Sequence, residues 1–93
     1  ALINVVVKAK TRQGAMQDAE AIAAALRAPG LGTWTVLGPA PAPLVRLKGE
    51  HRAQLFVKGT HRTSMRKALL TVMEGMPELR RRTIVDVDPM SVL

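Results

Sequence analysis

The hydrophobic period of this chain switches between two residues and about 3.6, in the order strand, helix, strand, strand, helix, strand, and no other feature restricts its fold as strongly. From Ile3 to Ala9, Ile3, Val5 and Val7 fall on one side and Asn4, Val6 and Lys8 on the other, the pattern of a half-buried strand. From Arg12 to Arg27 the composition turns to Ala, Gln, Glu and Leu, and Ala15, Ala19, Ile22, Ala23 and Leu26 recur at helical spacing behind Thr11, a candidate N-cap. Pro29, Gly30 and Gly32 end that helix, and Thr33 to Leu37 predicts a second strand. In Gly38-Pro39-Ala40-Pro41-Ala42-Pro43 the fixed proline torsions and missing N–H groups predict a stiff, extended connection without ladder donors.

Alternation returns from Arg52 to Lys58, with Ala53, Leu55 and Val57 on one side and Arg52, Gln54, Phe56 and Lys58 on the other. After Gly59-Thr60, a helix is predicted from Arg62 to Met73, with Met65, Leu69, Val72, Met73 and Met76 inward and Arg62, Arg66 and Lys67 outward. Gly75 and Pro77 interrupt it, Arg80-Arg81-Arg82 forms a basic run, and Thr83 to Asp88 predicts the last strand. Short connections and right-handed crossovers fold this order most simply into a ferredoxin-like βαββαβ sandwich of the α+β class. A four-stranded antiparallel sheet then carries both helices on one face, with Trp34 and the Val and Leu positions of the strands filling the core. Lys8, Arg52, Gln54, Phe56 and Lys58 gather on the uncovered face. A length of 93 residues supports one such core, and the expected organisation is a single domain over 1–93.

Charge narrows the class of partner. The chain carries 14 Lys+Arg against 7 Asp+Glu, net +7, which favours an anionic partner such as nucleic acid or an acidic peptide. The excess is local: Arg46 to Arg82 holds ten Lys/Arg and three Glu, whereas 83–93 holds two Asp and no cation. Candidate phosphate-binding residues are therefore Arg46, Lys48, Arg52, Lys58, Arg62, Arg66, Lys67, Arg80, Arg81 and Arg82. A solvated helix face is the rival reading for Arg62, Arg66 and Lys67, and a helix C-terminus complemented by cations is the rival for the arginine run. Trp34 and Phe56 are the only aromatic residues, so base stacking is not the main mode of recognition.

The same residues exclude several chemistries. No cysteine is present, which removes disulfides, thiolate metal sites and a thiol nucleophile from this chain. No G-x-x-x-x-G-K-[ST] loop occurs, and nothing here is expected to bind or hydrolyse a nucleotide. His51 and His61 lack companions at metal-ligand spacing and read as exposed, ordinary histidines. Asp86 and Asp88 alternate on the last strand. Asp86 is expected to stand opposite Lys8 and Asp88 to end the strand in a turn before Pro89, so neither is assigned to catalysis. Without a leader or about 18 consecutive apolar residues, the expectation is a soluble, cytoplasmic protein with no membrane partner.

Two stretches resemble a known family. Val36-Leu37-Gly38-Pro39-Ala40-Pro41-Ala42-Pro43-Leu44-Val45-Arg46-Leu47-Lys48-Gly49, running into Arg52-Ala53-Gln54-Leu55-Phe56-Val57-Lys58, resembles the VLGPxPAPxxRxxGxxRxQLLLK signature near the end of PriA-type primosomal helicases. Val85-Asp86-Val87-Asp88-Pro89-Met90-Ser91-Val92-Leu93 resembles the VDVDPxSLL terminus of the same family, in the expected order and separation. The resemblance implies a C-terminal domain of a longer 3′-to-5′ DNA helicase that restarts stalled forks. Its ATP, magnesium and zinc sites belong to the parent and not to these residues. Ala1 in place of an initiating methionine, opening directly on a strand, fits a domain cut from such a parent.

The implied partners are single- and double-stranded DNA at forks, the remainder of the helicase, other primosome proteins, and the acidic C-terminal tail of single-stranded-DNA-binding protein. Gln54 matches a glutamine of the implied tail pocket, with Arg52 beside it. Glu50 stands where members can carry a basic residue, and Ala53 where they carry an aromatic one. Two other classes stay open on the residues alone. One is a free-standing ferredoxin-like RNA-binding or ribosome-associated protein. The other is a dimeric small-molecule sensor of similar topology, for which the second helix carries too many outward cations.

Overall fold

The computed structural model describes residues 1–28, 32–47 and 49–88, with the backbone alone described over 43–47. The elements follow as β1 (Leu2–Ala9), α1 (Arg12–Leu26), β2 (Thr35–Leu47), β3 (Glu50–Lys58), α2 (Arg62–Glu74), α3 (Pro77–Arg81) and β4 (Thr83–Val87). The four strands form one antiparallel sheet in the order β2-β3-β1-β4, the ferredoxin-like arrangement that the alternation of periods implied.

Alternation sorts the sheet into two faces. Ile3, Val5 and Val7 of β1 and Ala53, Leu55 and Val57 of β3 are buried against the helices, and their neighbours in sequence point to the uncovered side. The helices supply Ala15, Ala19, Ile22, Ala23 and Leu26 from α1 and Met65, Ala68, Leu69 and Met73 from α2 to the same core. Full burial of each larger aliphatic side chain contributes about 1.5–3 kcal/mol. The alanines of α1 add little area, but they let its backbone lie close to the strands. Among the described residues, no polar or charged side chain is fully buried.

Helix ends follow local chemistry. Thr11 caps α1, its hydroxyl accepting the Gly14 N–H at 2.9 Å. At the other end the Trp34 indole N–H donates to the Leu26 carbonyl at 2.9 Å, and Arg27 donates to the carbonyls of Val36 and Gly38. Trp34 thus fastens α1 to the start of β2 from the edge of the core, where it is only partly buried, and is not one of the main core residues as expected. Pro77 starts α3 at a position that tolerates a missing N–H, and the arginine run falls on that extra helix and its end.

The largest departure from the sequence pattern is β2. The segment from Gly38 to Pro43 is not a connection but part of a strand of 13 residues that runs to Leu47. β2 is an outer strand, and prolines are tolerated there because no second neighbour needs their donors. The irregularity appears as register shifts between Leu37 and Ala40 and between Pro41 and Arg46. The chain then returns as β3 through a turn at Gly49, whose φ of 81° suits glycine.

Asp86 is the second correction. It pairs in register with Asn4, not Lys8, because β4 meets β1 only from Ile3 to Val7. Asp88 closes the sheet more tightly than a simple turn. Its carboxylate accepts the Leu2 N–H at 2.7 Å, its own N–H donates to the Leu2 carbonyl at 2.6 Å, and its second oxygen lies 2.6 Å from Arg62 Nε. The Leu2 N–H foremost holds this carboxyl below its ordinary 3.8; desolvation, the next effect in size, opposes it, and the Arg62 charge adds to the lowering. A carboxyl depressed by folding stabilises the fold above its unfolded value, and that contribution is lost as pH falls through the depressed value. Acid unfolding followed by circular dichroism therefore gives Asp88→Asn lower stability than the parent at pH 7. The difference shrinks below pH 3.8; a constant difference would exclude Asp88 as the titrating clamp.

Candidate nucleic-acid interface

The even-numbered residues of the two central strands build the uncovered face. Register places Lys8 opposite Arg52, Val6 opposite Gln54, Asn4 opposite Phe56 and Leu2 opposite Lys58. β2 adds Thr35 beside Lys58, Leu37 beside Phe56 and Ala40 beside Gln54, and β4 adds Asp86 and Ile84 beside Asn4 and Val6. The result is a strip with Lys8 and Arg52 at one end, Lys58 at the other, and Leu2, Val6, Phe56, Leu37 and Ile84 between them. Leu37 and Ile84 stay 48% and 47% exposed.

The pairing of Lys8 with Arg52 is unfavourable in isolation, because like charges directly opposite on one sheet face repel. Arg52 Nε and Asn4 Oδ1 also have no hydrogen-bond partner among the described residues. Glu50, half-buried at the start of β3, follows the same alternation and lies toward the Arg52 end. The structure thus places Glu50, Arg52, Gln54 and Lys58, all singled out in the sequence, along one strand face. Arg46 pairs with His51 in backbone register, but its side chain, like Lys48, lies outside the described residues.

A second set of cations lies on the far side of the molecule, on α2. Arg66 and Lys67 line a shallow depression with Thr63, Leu70, Thr71 and Glu74, and among the described residues neither pairs with a carboxylate within 4 Å. Arg62 differs from them, because Asp88 occupies its guanidinium while leaving the side chain largely exposed.

The arginine run divides. Arg80 is exposed, and Arg81 reaches Glu78 at 3.6 Å in a pair so exposed that it contributes little. Arg82 is a structural residue: its guanidinium donates to the Lys8 carbonyl at 2.7 Å and to Asp18 at 2.9 Å, while its own carbonyl accepts the Lys8 N–H. Nothing near Arg82 in sequence marks this role, since Asp18 lies 64 residues away. The same holds for Arg27, a cation with no local signature that joins α1 to β2.

No group of three or more His, Cys, Asp or Glu able to hold a metal ion occurs among the described residues. His61 is exposed as expected and precedes α2 without a side-chain cap, whereas His51 is half-buried, because it sits in the ladder at the start of β3. No helix is long and apolar enough to cross a membrane among the described residues. The surface of the described residues carries exposed cations, hydrogen-bonding side chains and a modest apolar strip.

The family model described as primosomal protein N C-terminal domain matches residues 1–90. No curated protein matches the chain.

The two kinds of cation separate in stability. Arg82→Ala removes two charge-assisted bonds at the edge of the core and costs about 1–2 kcal/mol in urea unfolding. The double variant Arg66→Ala with Lys67→Ala stays within about 0.5 kcal/mol of the parent. A loss for Arg82→Ala no larger than that of the double variant would contradict the structural assignment.

Proposed function

The chain belongs to the primosomal protein N C-terminal domain family, and on that premise we propose that it is the non-catalytic DNA-binding and partner-docking domain of a replication-restart helicase. The observation that carries the reading is Lys8 opposite Arg52, two cations held side by side on an uncovered sheet face. Their mutual repulsion becomes favourable interaction when a phosphate or carboxylate sits between them. Arg66, Lys67 and Arg80 extend the positive field over the other side of the molecule, which suits a branched polyanion better than a small ligand. Arg62 and Arg81 contribute field as well, whereas Arg82 is committed to the fold.

In this reading the domain contributes no catalysis of its own. The parent supplies the ATP-driven 3′-to-5′ motor, with its magnesium and zinc, and the domain holds single- and double-stranded arms of a stalled fork beside that motor. The rest of the helicase and other primosome proteins are its protein neighbours. Phosphate contacts dominate, so binding is largely independent of sequence and falls steeply with salt.

Fluorescence-anisotropy titrations of a duplex across a salt series test this. Replacing Arg52, Arg66 and Lys67 by alanine reduces the slope of log affinity against log salt by about 0.9 for each phosphate that is no longer neutralised. An unchanged slope would reduce these residues to a solvated surface.

Partner docking rests on Glu50, Arg52 and Gln54, which share one strand face. Arg52 pairs with the carboxylates of the acidic tail of single-stranded-DNA-binding protein, and Gln54 hydrogen-bonds its backbone. Glu50 opposes that ligand, so Glu50→Arg strengthens tail binding by the parent protein by about 1 kcal/mol. Titration of a labelled tail peptide in which Glu50→Arg gains nothing and Gln54→Ala loses nothing would move the tail site elsewhere.

A further inference from the structure

The apolar middle of the uncovered face is not needed for phosphate contacts. A groove of about 740 Å³ opens from Phe56 toward the Lys58 end of that face, lined by Leu2, Leu37, Phe56, Lys58, Thr60 and Asp88 among others. Phe56 is its one aromatic wall, and it stands on a central strand between Asn4 on β1 and Leu37 on β2. Lys58 is exposed at one end of the strip, and the Lys8–Arg52 pair lies at the other. The carboxylate of Asp88 is already engaged by the Leu2 N–H and Arg62, so its charge at the groove is compensated.

We propose that this groove takes an unpaired nucleobase of single-stranded DNA, stacked on Phe56, with the flanking phosphates reaching Lys58 and the Lys8–Arg52 pair. The proposal rests on the DNA-binding reading above and makes one part of that surface selective for single strands. Charge decides the occupant: an apolar strip with cations at both ends fits a strand whose flat, apolar bases alternate with anions. Stacking needs only the face of a base and tolerates any sequence. The Gln54 amide stands two residues before Phe56 on the same strand face, where it can add a hydrogen bond to the bound strand. A paired base cannot enter, because its faces are covered by its neighbours in the duplex and its edge by its partner. One aromatic residue holds one base, so stacking adds to the phosphate contacts without replacing them.

The test compares a single-stranded oligonucleotide with an abasic strand of the same length and charge, using anisotropy with the chain and its Phe56→Ala and Phe56→Leu variants. The parent binds the base-bearing strand about tenfold more tightly than the abasic one. Phe56→Ala abolishes that preference, and Phe56→Leu, which keeps an apolar side chain on the strand, loses most of it. Equal affinity of the parent for the two strands, or a preference that survives in both folded variants, overturns the base site. Phosphate-driven binding then still stands and the groove passes to an apolar side chain of a protein partner. Failure of the parent to bind either strand removes the DNA-binding reading itself, and the base site with it.

Discussion

β1 is the strand on which everything else is aligned, and it is fastened at both ends by residues flanking β4. At its start, the Leu2 N–H donates to the Asp88 carboxylate and the Leu2 carbonyl accepts the Asp88 N–H, just beyond β4; at its finish, the Lys8 N–H donates to the Arg82 carbonyl and the Lys8 carbonyl accepts the Arg82 guanidinium, just before β4. Between these ties β1 pairs with β3 along its whole length. Register has no freedom here, because a slip of one residue would bury Asn4 and Lys8 and expose Ile3, Val5 and Val7. The same constraint that fills the core sets Lys8 against Arg52 and Asn4 against Phe56. Core and candidate interface are two sides of one alignment.

Net charge conceals two populations of cations. Arg82 is bound to a carbonyl and a carboxylate of elements distant in the chain, Arg27 to two carbonyls of the strand that follows α1, and Arg62 is shared between Asp88 and solvent. Lys8, Arg52, Arg66, Lys67 and Arg80 form none of the ion pairs among the described residues. The unpaired positive charge of the described residues therefore lies on the uncovered sheet face, on α2 and α3, and at the start of α1, where Lys10 and Arg12 are exposed as well.

The elements that were legible in the sequence are those whose signal is local. Ile3, Val5 and Val7, or Ala15, Ala19 and Leu26, declare their faces by spacing, and Thr11 declares a cap by its position. β2 was hidden because prolines oppose strand formation in general, and only its place at the outside of the sheet, a tertiary fact, makes them acceptable. The same limit applies to the site. Alternation put Arg52, Gln54, Phe56 and Lys58 on one face correctly, yet nothing near Asp86 or Arg82 shows that one faces Asn4 and the other reaches Asp18. The groove beside Phe56 has no signature in the sequence for a related reason, since Leu2 and Leu37 become its walls only when distant strands pair.

An open sheet face flanked by two outer strands carries a hazard, since exposed backbone edges invite other chains to join the ladder and aggregate. The two edges are guarded by different devices. On the long side, Pro39, Pro41 and Pro43 subtract donors from β2, and its shifts in register break the straight template that an incoming strand would copy. On the short side β4 has only five residues, a brief template for pairing, and Asp86 adds a charge to it. The proline run is therefore a safeguard of solubility as well as a strand. Replacing its prolines with good strand formers would strengthen the local ladder while exposing the domain to self-association.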